Sequence, residues 1–147
     1  MDRLTARAVV APHRVFVASS AWFAIASASD GRHAEAEELL RKAVARRIPL
    51  ITTNLVLAEV HRLALIRMGI QPAMAALDRI DASRLVSISY PAAEHHRAAR
   101  QWLAKLADQR ISYTDAVSFA VMRALGCSTA LTFDHHFVLA GFRLWRR

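Results

Sequence analysis

Residues 15–22 read Val15-Phe16-Val17-Ala18-Ser19-Ser20-Ala21-Trp22. The first three are apolar and favour extended backbone, which predicts a short strand buried on both faces. Ser19 or Ser20 follows and can cap a helix that runs to about Ala28. A buried strand that passes directly into a helix is typical of a sheet covered by helices, so this stretch indicates the fold class.

The rest of the chain repeats this alternation of short apolar runs and helical patterns. Three further strands and a short fifth are predicted at residues 49–52, 85–88, 130–133 and 142–145. Asp30 and Asn54 can cap two of the intervening helices, Gly69 ends one, and Pro72 begins a short one. Alternating strands and helices predict an α/β fold with a mostly parallel central sheet of four to five strands and helices on both faces.

The length of 147 residues predicts one domain, residues 1–147, that can bury a core without disulfides. Residues 1–13 show no clear period and contain Pro12, so we expect a loose N-terminal arm. The apolar run 15–28 resembles a secretory signal peptide, but Ser19 and Ser20 interrupt it, and we reject that interpretation. Since no unbroken apolar stretch reaches the length of a membrane span, we expect no membrane partner.

The charge is strongly basic, with a formal net charge of +8. Of the 20 basic residues, 18 are Arg and only Lys42 and Lys105 are Lys. Excess positive charge favours polyanion partners such as RNA, and the planar guanidinium binds two phosphate oxygens at once. The alternative is Arg-rich coding bias on a solvated surface, and charge alone does not decide between the two.

Cys127 is the only cysteine, which excludes an internal disulfide. A reduced, cytoplasmic location is the simplest interpretation of that count. Cys127 follows Gly126 and precedes an apolar strand, so we expect a small buried hydrophobic residue there.

Three acidic residues occupy positions where packing does not explain a charge. Asp134 follows the strand predicted at 130–133, Asp115 lies in the first turn of a helix, and Glu59 lies in the helix after the second strand. Ligands of open parallel sheets bind beyond the carboxyl ends of the strands. Carboxylates gathered there repel each other unless a cation joins them, and all-oxygen ligands suit Mg²⁺ or Mn²⁺. The three acids are therefore candidate metal ligands.

Each acid also has a purely structural explanation. Asp115 fits a capping box with Ser112, Asp134 can begin a turn, and Glu59 can face solvent from its helix. Four of the seven histidines form two adjacent pairs, at 95–96 and 135–136, and neither pair shows the four-residue spacing of a helical zinc site. Taken one at a time, the structural explanations are the more frequent ones.

Four stretches, in order, resemble PIN-domain proteins, from about Val15 to Trp145. The first resembles the family's first strand, which reads Val-Asp-Thr/Ser-Ser-Ala-Trp, and the others resemble the segment that supplies its Glu, its Ser-x-x-Asp helix and its closing motif. They are residues 15–22, 52–59, 111–119 and 131–137, the last followed by Gly141-Phe142.

The resemblance implies a three-layer α/β/α sandwich and metal-dependent cleavage of RNA that leaves 3′-hydroxyl and 5′-phosphate ends. Glu59, Asp115 and Asp134 carry over as ligands of Mg²⁺ or Mn²⁺, and Ser20 and Thr114 as supporting hydroxyls. The short free-standing format resembles VapC toxins, which implies a VapB-like antitoxin partner and a homodimer.

The sequence departs from the family at Ala18, where the family carries its first Asp. Alanine has no ligand atom, so the resemblance implies a catalytic and metal-binding position that is lost here. Either the protein is a naturally degenerate member or alanine was introduced to disarm a toxic enzyme. We favour the second interpretation because the flanking residues and the other three acids are intact.

The sequence thus predicts a metal-dependent endoribonuclease toxin of the VapC kind, neutralised by an antitoxin and impaired by Ala18. The alternative is a non-catalytic PIN module that binds RNA or a protein partner. A structure-specific DNA nuclease is less favoured because the chain lacks the insertions that those relatives carry.

Overall fold

The computed structural model describes residues 12–146. The helices and strands of this part follow in the order β1 (Val15–Val17), α1 (Ser19–Ala26), α2 (His33–Ala45), β2 (Leu50–Thr53), α3 (Asn54–Met68), α4 (Ile70–Ala82), β3 (Val86–Ser89), α5 (Ala93–Lys105), α6 (Tyr113–Leu125), β4 (Thr129–Leu131), α7 (His136–Leu139) and β5 (Arg143–Leu144). Most of the predicted N-terminal arm, residues 1–11, lies outside the described residues. Pro12 and His13 precede β1 in neither helix nor strand.

The five strands form one sheet in the order β3-β2-β1-β4-β5, and every pairing is parallel. β1 is central: Phe16 pairs with Ile51 of β2 on one side and with Ala130 of β4 on the other. Helices cover the sheet on both faces, so the predicted α/β/α fold is confirmed. Val15, Phe16 and Val17 are fully buried, as the opening strand of a parallel sheet requires.

The strand order reverses at β1. From β1 the chain moves outward through β2 to β3, and then returns to the other side of β1 with β4 and β5. In open parallel sheets, this change of direction leaves a crevice at the carboxyl ends of the central strands, where ligands bind. The topology therefore places a candidate site beyond the ends of β1 and β4.

Helix α6 contains the longest run of consecutive buried residues in the described chain, from Asp115 to Met122. Its Phe119 ring meets the Phe137 ring edge to face, with 4.9 Å between centroids. Such aromatic pairs add packing energy and fix orientation. Because α6 is held in the core, the acid at its amino end, Asp115, is also held there.

Several predicted boundaries differ from the observed ones. β4 ends at Leu131, not at residue 133, so Asp134 stands three residues beyond the strand instead of directly after it. β3 spans Val86–Ser89, one residue later than predicted. The helix expected to begin at Pro72 begins at Ile70 and runs for 13 residues, so it is not short. Gly69, with φ of 98°, makes the tight turn between α3 and α4.

The capping residues also differ from the predicted ones. Thr53, not Asn54, caps α3, because its side chain accepts from the Val56 backbone N–H. At α2 the cap position is Arg32, and Asp30 instead accepts from the Arg32 backbone N–H in the preceding turn. No serine caps α1, whose cap position is Ala18 itself. Within residues 12–146, no helix has the length and apolar character needed to cross a bilayer.

Candidate functional site

A small pocket opens at the carboxyl edge of the sheet, at the reversal point of the strand order. Its volume is about 120 Å³. It gathers five positions that the sequence singled out, since Ala18, Ser20, Glu59, Asp115 and Asp134 all line it. The full lining consists of Ala18, Ser19, Ser20, Glu59, Leu63, Asp115, Thr132 and Asp134. Residues separated by more than 110 positions thus meet in one place.

Ala18 lies where β1 passes into α1. Its backbone N–H donates to the Leu131 carbonyl of β4, and its own carbonyl accepts from Trp22 N. Ala18 occupies the cap position of α1 in extended conformation, and its side chain offers no capping hydrogen bond. An aspartate here could offer oxygens both to the pocket and to the start of the helix, whereas the alanine methyl lines the pocket and offers none.

Asp115 is the most buried of the acids, with 8% exposure. Ser112 fixes its backbone, because the Ser112 Oγ accepts from the Asp115 N–H at 3.0 Å. The Ser112 half of the predicted capping box is therefore present, and it coexists with a place for Asp115 in the pocket. Burial, followed by a hydrogen bond to Asp134 and the charges of Asp134 and Glu59, raises the pKa of Asp115 from 3.8 to about 8.

Asp134 is positioned by a local turn beyond β4. Its backbone N–H donates to the Thr132 Oγ1 at 3.0 Å, and its Oδ1 accepts from the His136 N–H at 2.9 Å. The turn predicted for Asp134 is thus present, and it aims the carboxylate at the pocket. Thr132 and Ser19 line the same pocket, although the sequence did not single them out. Their positions beside strand ends were the signal that could have identified them.

The two hydroxyls predicted to support the acids lie in different places. The Ser20 Oγ lies 3.2 Å from the Thr132 Oγ1 and accepts from the Phe133 N–H at 2.9 Å, so Ser20 ties α1 to the loop that carries Asp134. Thr114 is not among the residues that line the pocket. Its carbonyl accepts from the Ser118 Oγ within α6.

Two histidines stand beside Asp134. Ligand atoms of Asp134, His135 and His136 lie within 4.8 Å of one another. The Nδ1 of His136 lies 3.0 Å from the Asp134 Oδ1 but makes no hydrogen bond within the described chain. The spacing of helical zinc sites does not identify Asp134, His135 and His136, because the three residues are consecutive in the sequence. Neither histidine lines the pocket that contains Glu59, Asp115 and Asp134, which we call the acidic pocket.

The residues of the pocket fit a divalent cation. Three carboxylates line one common space, and burial, with a smaller contribution from the neighbouring acids, raises the pKa of Asp115 there. The Ser19 Oγ is buried and has no hydrogen-bond partner among residues 12–146. An all-oxygen donor set of this kind suits Mg²⁺ or Mn²⁺ better than softer metals.

Comparison with known proteins gives consistent matches along the chain. The PIN domain family profile matches residues 15–142. The 23S rRNA-specific endonuclease VapC20 of Mycobacterium tuberculosis, in strains CDC 1551 / Oshkosh and H37Rv, is 37% identical over 129 residues, which cover 87% of this chain and 95% of the relative. The crystal structure of M. tuberculosis VapC20, described as a sarcin-ricin loop cleaving toxin, superposes with a TM-score of 0.79 over the same shares of the two chains. The chain therefore belongs to the PIN-domain family, and within it to the VapC toxins.

Proposed function

We propose that this protein is a divalent-metal-dependent endoribonuclease toxin whose present form is impaired by Ala18. The observation that carries the proposal is the convergence of Glu59, Asp115 and Asp134 with Ala18 in one pocket at the carboxyl edge of the sheet. The family membership and the basic charge of +8 support RNA as the substrate.

Glu59, Asp115 and Asp134 are the residues that would hold Mg²⁺ or Mn²⁺, together with an aspartate at position 18 in the active form. Such an ion supplies activation of water and neutralisation of the charge that develops on the phosphate. The protein supplies the arrangement: Ser112 fixes Asp115 through its backbone, and Thr132 fixes Asp134. Ser20 holds the loop before Asp134 against α1, which keeps the acids at a constant separation.

The substrate class follows from the relatives. VapC20 is a 23S rRNA-specific endonuclease by name, and its crystal structure is that of a sarcin-ricin loop cleaving toxin. At 37% identity over most of both chains, we propose a loop of ribosomal RNA as the substrate here. Reading such a loop requires contacts outside the acidic pocket, since RNA is recognised through splayed bases and shape.

The proposed partners are a VapB-like antitoxin and a second copy of the chain. An antitoxin is expected because an unrestrained ribosomal nuclease would stop growth of its own cell. The second copy is suggested by the exposed apolar side chains at the turn between α3 and α4. A cytoplasmic location follows from a ribosomal RNA substrate and a single buried cysteine.

The decisive experiment compares this chain with its Ala18→Asp variant on a ribosomal loop RNA, with Mg²⁺, with Mn²⁺ and with chelator. We expect the variant to cleave at least ~100-fold faster, because the loss of even an outer-shell partner costs 10–100-fold. Cleavage should need the metal and should stop when Glu59→Gln is added. Expression of the variant without antitoxin should arrest growth.

Folding does not confound this comparison. Aspartate is a favoured cap residue and alanine a poor one, so Ala18→Asp should strengthen the start of α1. Added repulsion among the acids opposes this gain when metal is absent. If the variant is folded and yet neither cleaves RNA nor harms the cell, the protein is a non-catalytic PIN module.

A further inference from the structure

We propose that a groove beside the acidic pocket is a subsite for the nucleotide that flanks the scissile phosphate, with Arg32 and Arg67 as its phosphate-binding residues. We call it the arginine groove. It has a volume of about 300 Å³ and is lined by Phe23, Asp30, Arg32, Arg67 and Phe133, with Ser20 and Leu63 at one end. That volume is at the small end of ligand pockets, which suits one nucleotide.

The arginine groove is continuous with the acidic pocket. Ser20 and Leu63 line both cavities, so they form the boundary between them. Along α3, Glu59, Leu63 and Arg67 recur every four residues and therefore lie on one side of the helix. Eight residues of helix separate Glu59 from Arg67 by about 12 Å along the axis. One face of α3 thus carries both a candidate metal ligand, Glu59, and a cation, Arg67.

The wall of the arginine groove that faces α3 is also connected to the acidic pocket. Phe133 directly precedes Asp134, and its backbone N–H donates to the Ser20 Oγ at 2.9 Å. Its ring lines the arginine groove while the next carboxylate lines the acidic pocket. A ligand that contacts Phe133 in the groove would therefore lie next to Asp134, the following residue.

The guanidinium groups are held in place before any ligand arrives. The Arg32 Cζ stands 4.8 Å from the centroid of the Phe133 ring, and the Arg67 Cζ stands 5.2 Å from that of Phe23. The Asp30 Oδ1 fixes the backbone of Arg32 by accepting its N–H at 2.8 Å. Arginines held over rings lose less side-chain freedom on binding than mobile ones, which favours affinity.

Neither arginine side chain forms an ion pair within the described chain, although the Asp30 carboxylate lines the same groove. Arg79, by contrast, makes two bonds to Glu37, of 2.7 and 2.9 Å, and Arg146 lies 4.0 Å from Glu35. No ion pair joins Arg32 or Arg67 to an acid among residues 12–146. Two exposed cations, oriented beside a nuclease pocket, are suited to an external phosphate.

An RNA strand fits this charge pattern better than an acidic protein segment. RNA carries phosphates at regular intervals, so a phosphate at the arginines brings a neighbouring one towards the acidic pocket. The guanidinium planes also offer a stacking surface to an unpaired base, which an acidic peptide does not use. Loop RNA presents such bases.

Because this inference rests on the RNA-cleaving function proposed above, the test separates binding from cleavage. Binding of a fluorescent ribosomal loop RNA is measured by anisotropy with the protein as it is, in chelator, over a range of salt. Arg32→Gln and Arg67→Gln should each weaken binding about ten-fold, the equivalent of one charge-assisted hydrogen bond. Each should make the slope of log affinity against log salt shallower by about 0.7.

The matched control is Arg84→Gln. Arg84 is also exposed, but it lies just before β3, at the opposite edge of the parallel sheet. Its affinity and salt slope should stay within about two-fold of the parent. Arg32→Lys and Arg67→Lys keep the charge without the planar fork and should recover only part of the lost affinity. Thermal melting checks that every variant is folded.

The cleavage arm adds Ala18→Asp to each variant. We expect Arg32→Gln and Arg67→Gln to raise KM with little change in kcat, since they bind the substrate away from the reacting atoms. If Ala18→Asp cleaves no RNA but the groove variants still lose RNA affinity, the nuclease proposal fails, and the arginine groove stands as an RNA-binding site without a scissile phosphate beside it. If the groove variants bind RNA like Arg84→Gln, or lose only the binding of an acidic protein partner, the subsite is overturned.

Discussion

Asp115 shows most clearly which features of the site the sequence can predict and which it cannot. Its backbone position is set by an ordinary helix cap, whereas its carboxyl group is buried against Asp134 and Glu59. The sequence could predict the cap, because Ser112 and Asp115 have the required spacing. It could not predict the burial, which depends on α6 being covered by residues from distant parts of the chain.

The raised pKa of Asp115 predicts a pH dependence of stability for the metal-free protein. The folded state holds this proton up to about pH 8, whereas the unfolded state releases it near 3.8. The folded state therefore binds more protons between these values, and the free energy of unfolding falls as pH rises from about 4 to about 8. The slope from this group is at most ~1.4 kcal/mol per pH unit.

Urea denaturation in chelator, at several pH values, measures this effect. Asp115→Asn should remove this part of the slope and be more stable than the parent near pH 8. Asp78→Asn, at an exposed position of α4, is the matched control and should leave the slope unchanged. Identical pH profiles for the parent and Asp115→Asn would show that Asp115 titrates normally.

At the scale of elements, the sequence predicted the alternation of strands and helices and the parallel sheet. The errors concern ends: β4 is shorter than its apolar run, and α3 begins with Thr53 as its cap. Both errors have one cause. In each case a threonine hydroxyl accepts from the backbone that follows: Thr132, in the predicted strand, bonds to the Asp134 N–H, and Thr53, the last residue of β2, bonds to the Val56 N–H. Such local bonds compete with the sheet, and the sequence does not show which one forms.

Loss of the α6 cap should cost stability. Ser112→Ala removes the acceptor of the Asp115 N–H, and cap substitutions of this kind cost about 0.5–2 kcal/mol. The loss should also loosen Asp115 and lower cleavage by the Ala18→Asp form. Denaturation midpoints at neutral pH measure the first effect and initial cleavage rates measure the second.

Ser128→Ala provides the comparison for this helix prediction. Ser128 is exposed and lies between α6 and β4, outside any cap. It should change the free energy of unfolding by no more than ~0.5 kcal/mol. Equal stability of the Ser112 and Ser128 variants would mean that the Ser112 bond contributes nothing to the helix.

At the scale of the whole molecule, the sequence predicted that three acids would gather, and the pocket unites them. What it could not predict is the arginine groove. Phe23 and Arg67, which are in contact, belong to different helices. Arg32 and Phe133, which are also in contact, are 101 positions apart in the sequence. Asp115 and Asp134 were identifiable because they stand at a helix start and beyond a strand end, where the fold class itself makes them neighbours, whereas Glu59 lies within α3 and was identified by its place after the second strand and by the family resemblance. No comparable sequence feature identifies Arg32 and Arg67 as neighbours.

Among the described residues, the largest group of exposed apolar side chains lies at the turn between α3 and α4. Ile66 and Ile70 are each 69% exposed, and Leu65 and Met74 stand beside them at 40% and 49%. A cavity of about 320 Å³, lined in part by Leu57 and Leu77, lies on the same two helices. Contiguous exposed apolar side chains favour association, and a second copy related by two-fold symmetry can cover them reciprocally.

We therefore predict a homodimer at micromolar concentration that uses this turn. Ile66→Glu with Ile70→Glu should shift the mass measured by light scattering from two chains to one, because burying two carboxylates against apolar side chains is costly. Tyr90→Glu is the control: Tyr90 is 71% exposed but follows β3, so its variant should remain dimeric. A parent protein that scatters as one chain, without any partner present, would contradict the dimer. The turn would then be free for the antitoxin, and the double variant should lose antitoxin binding instead.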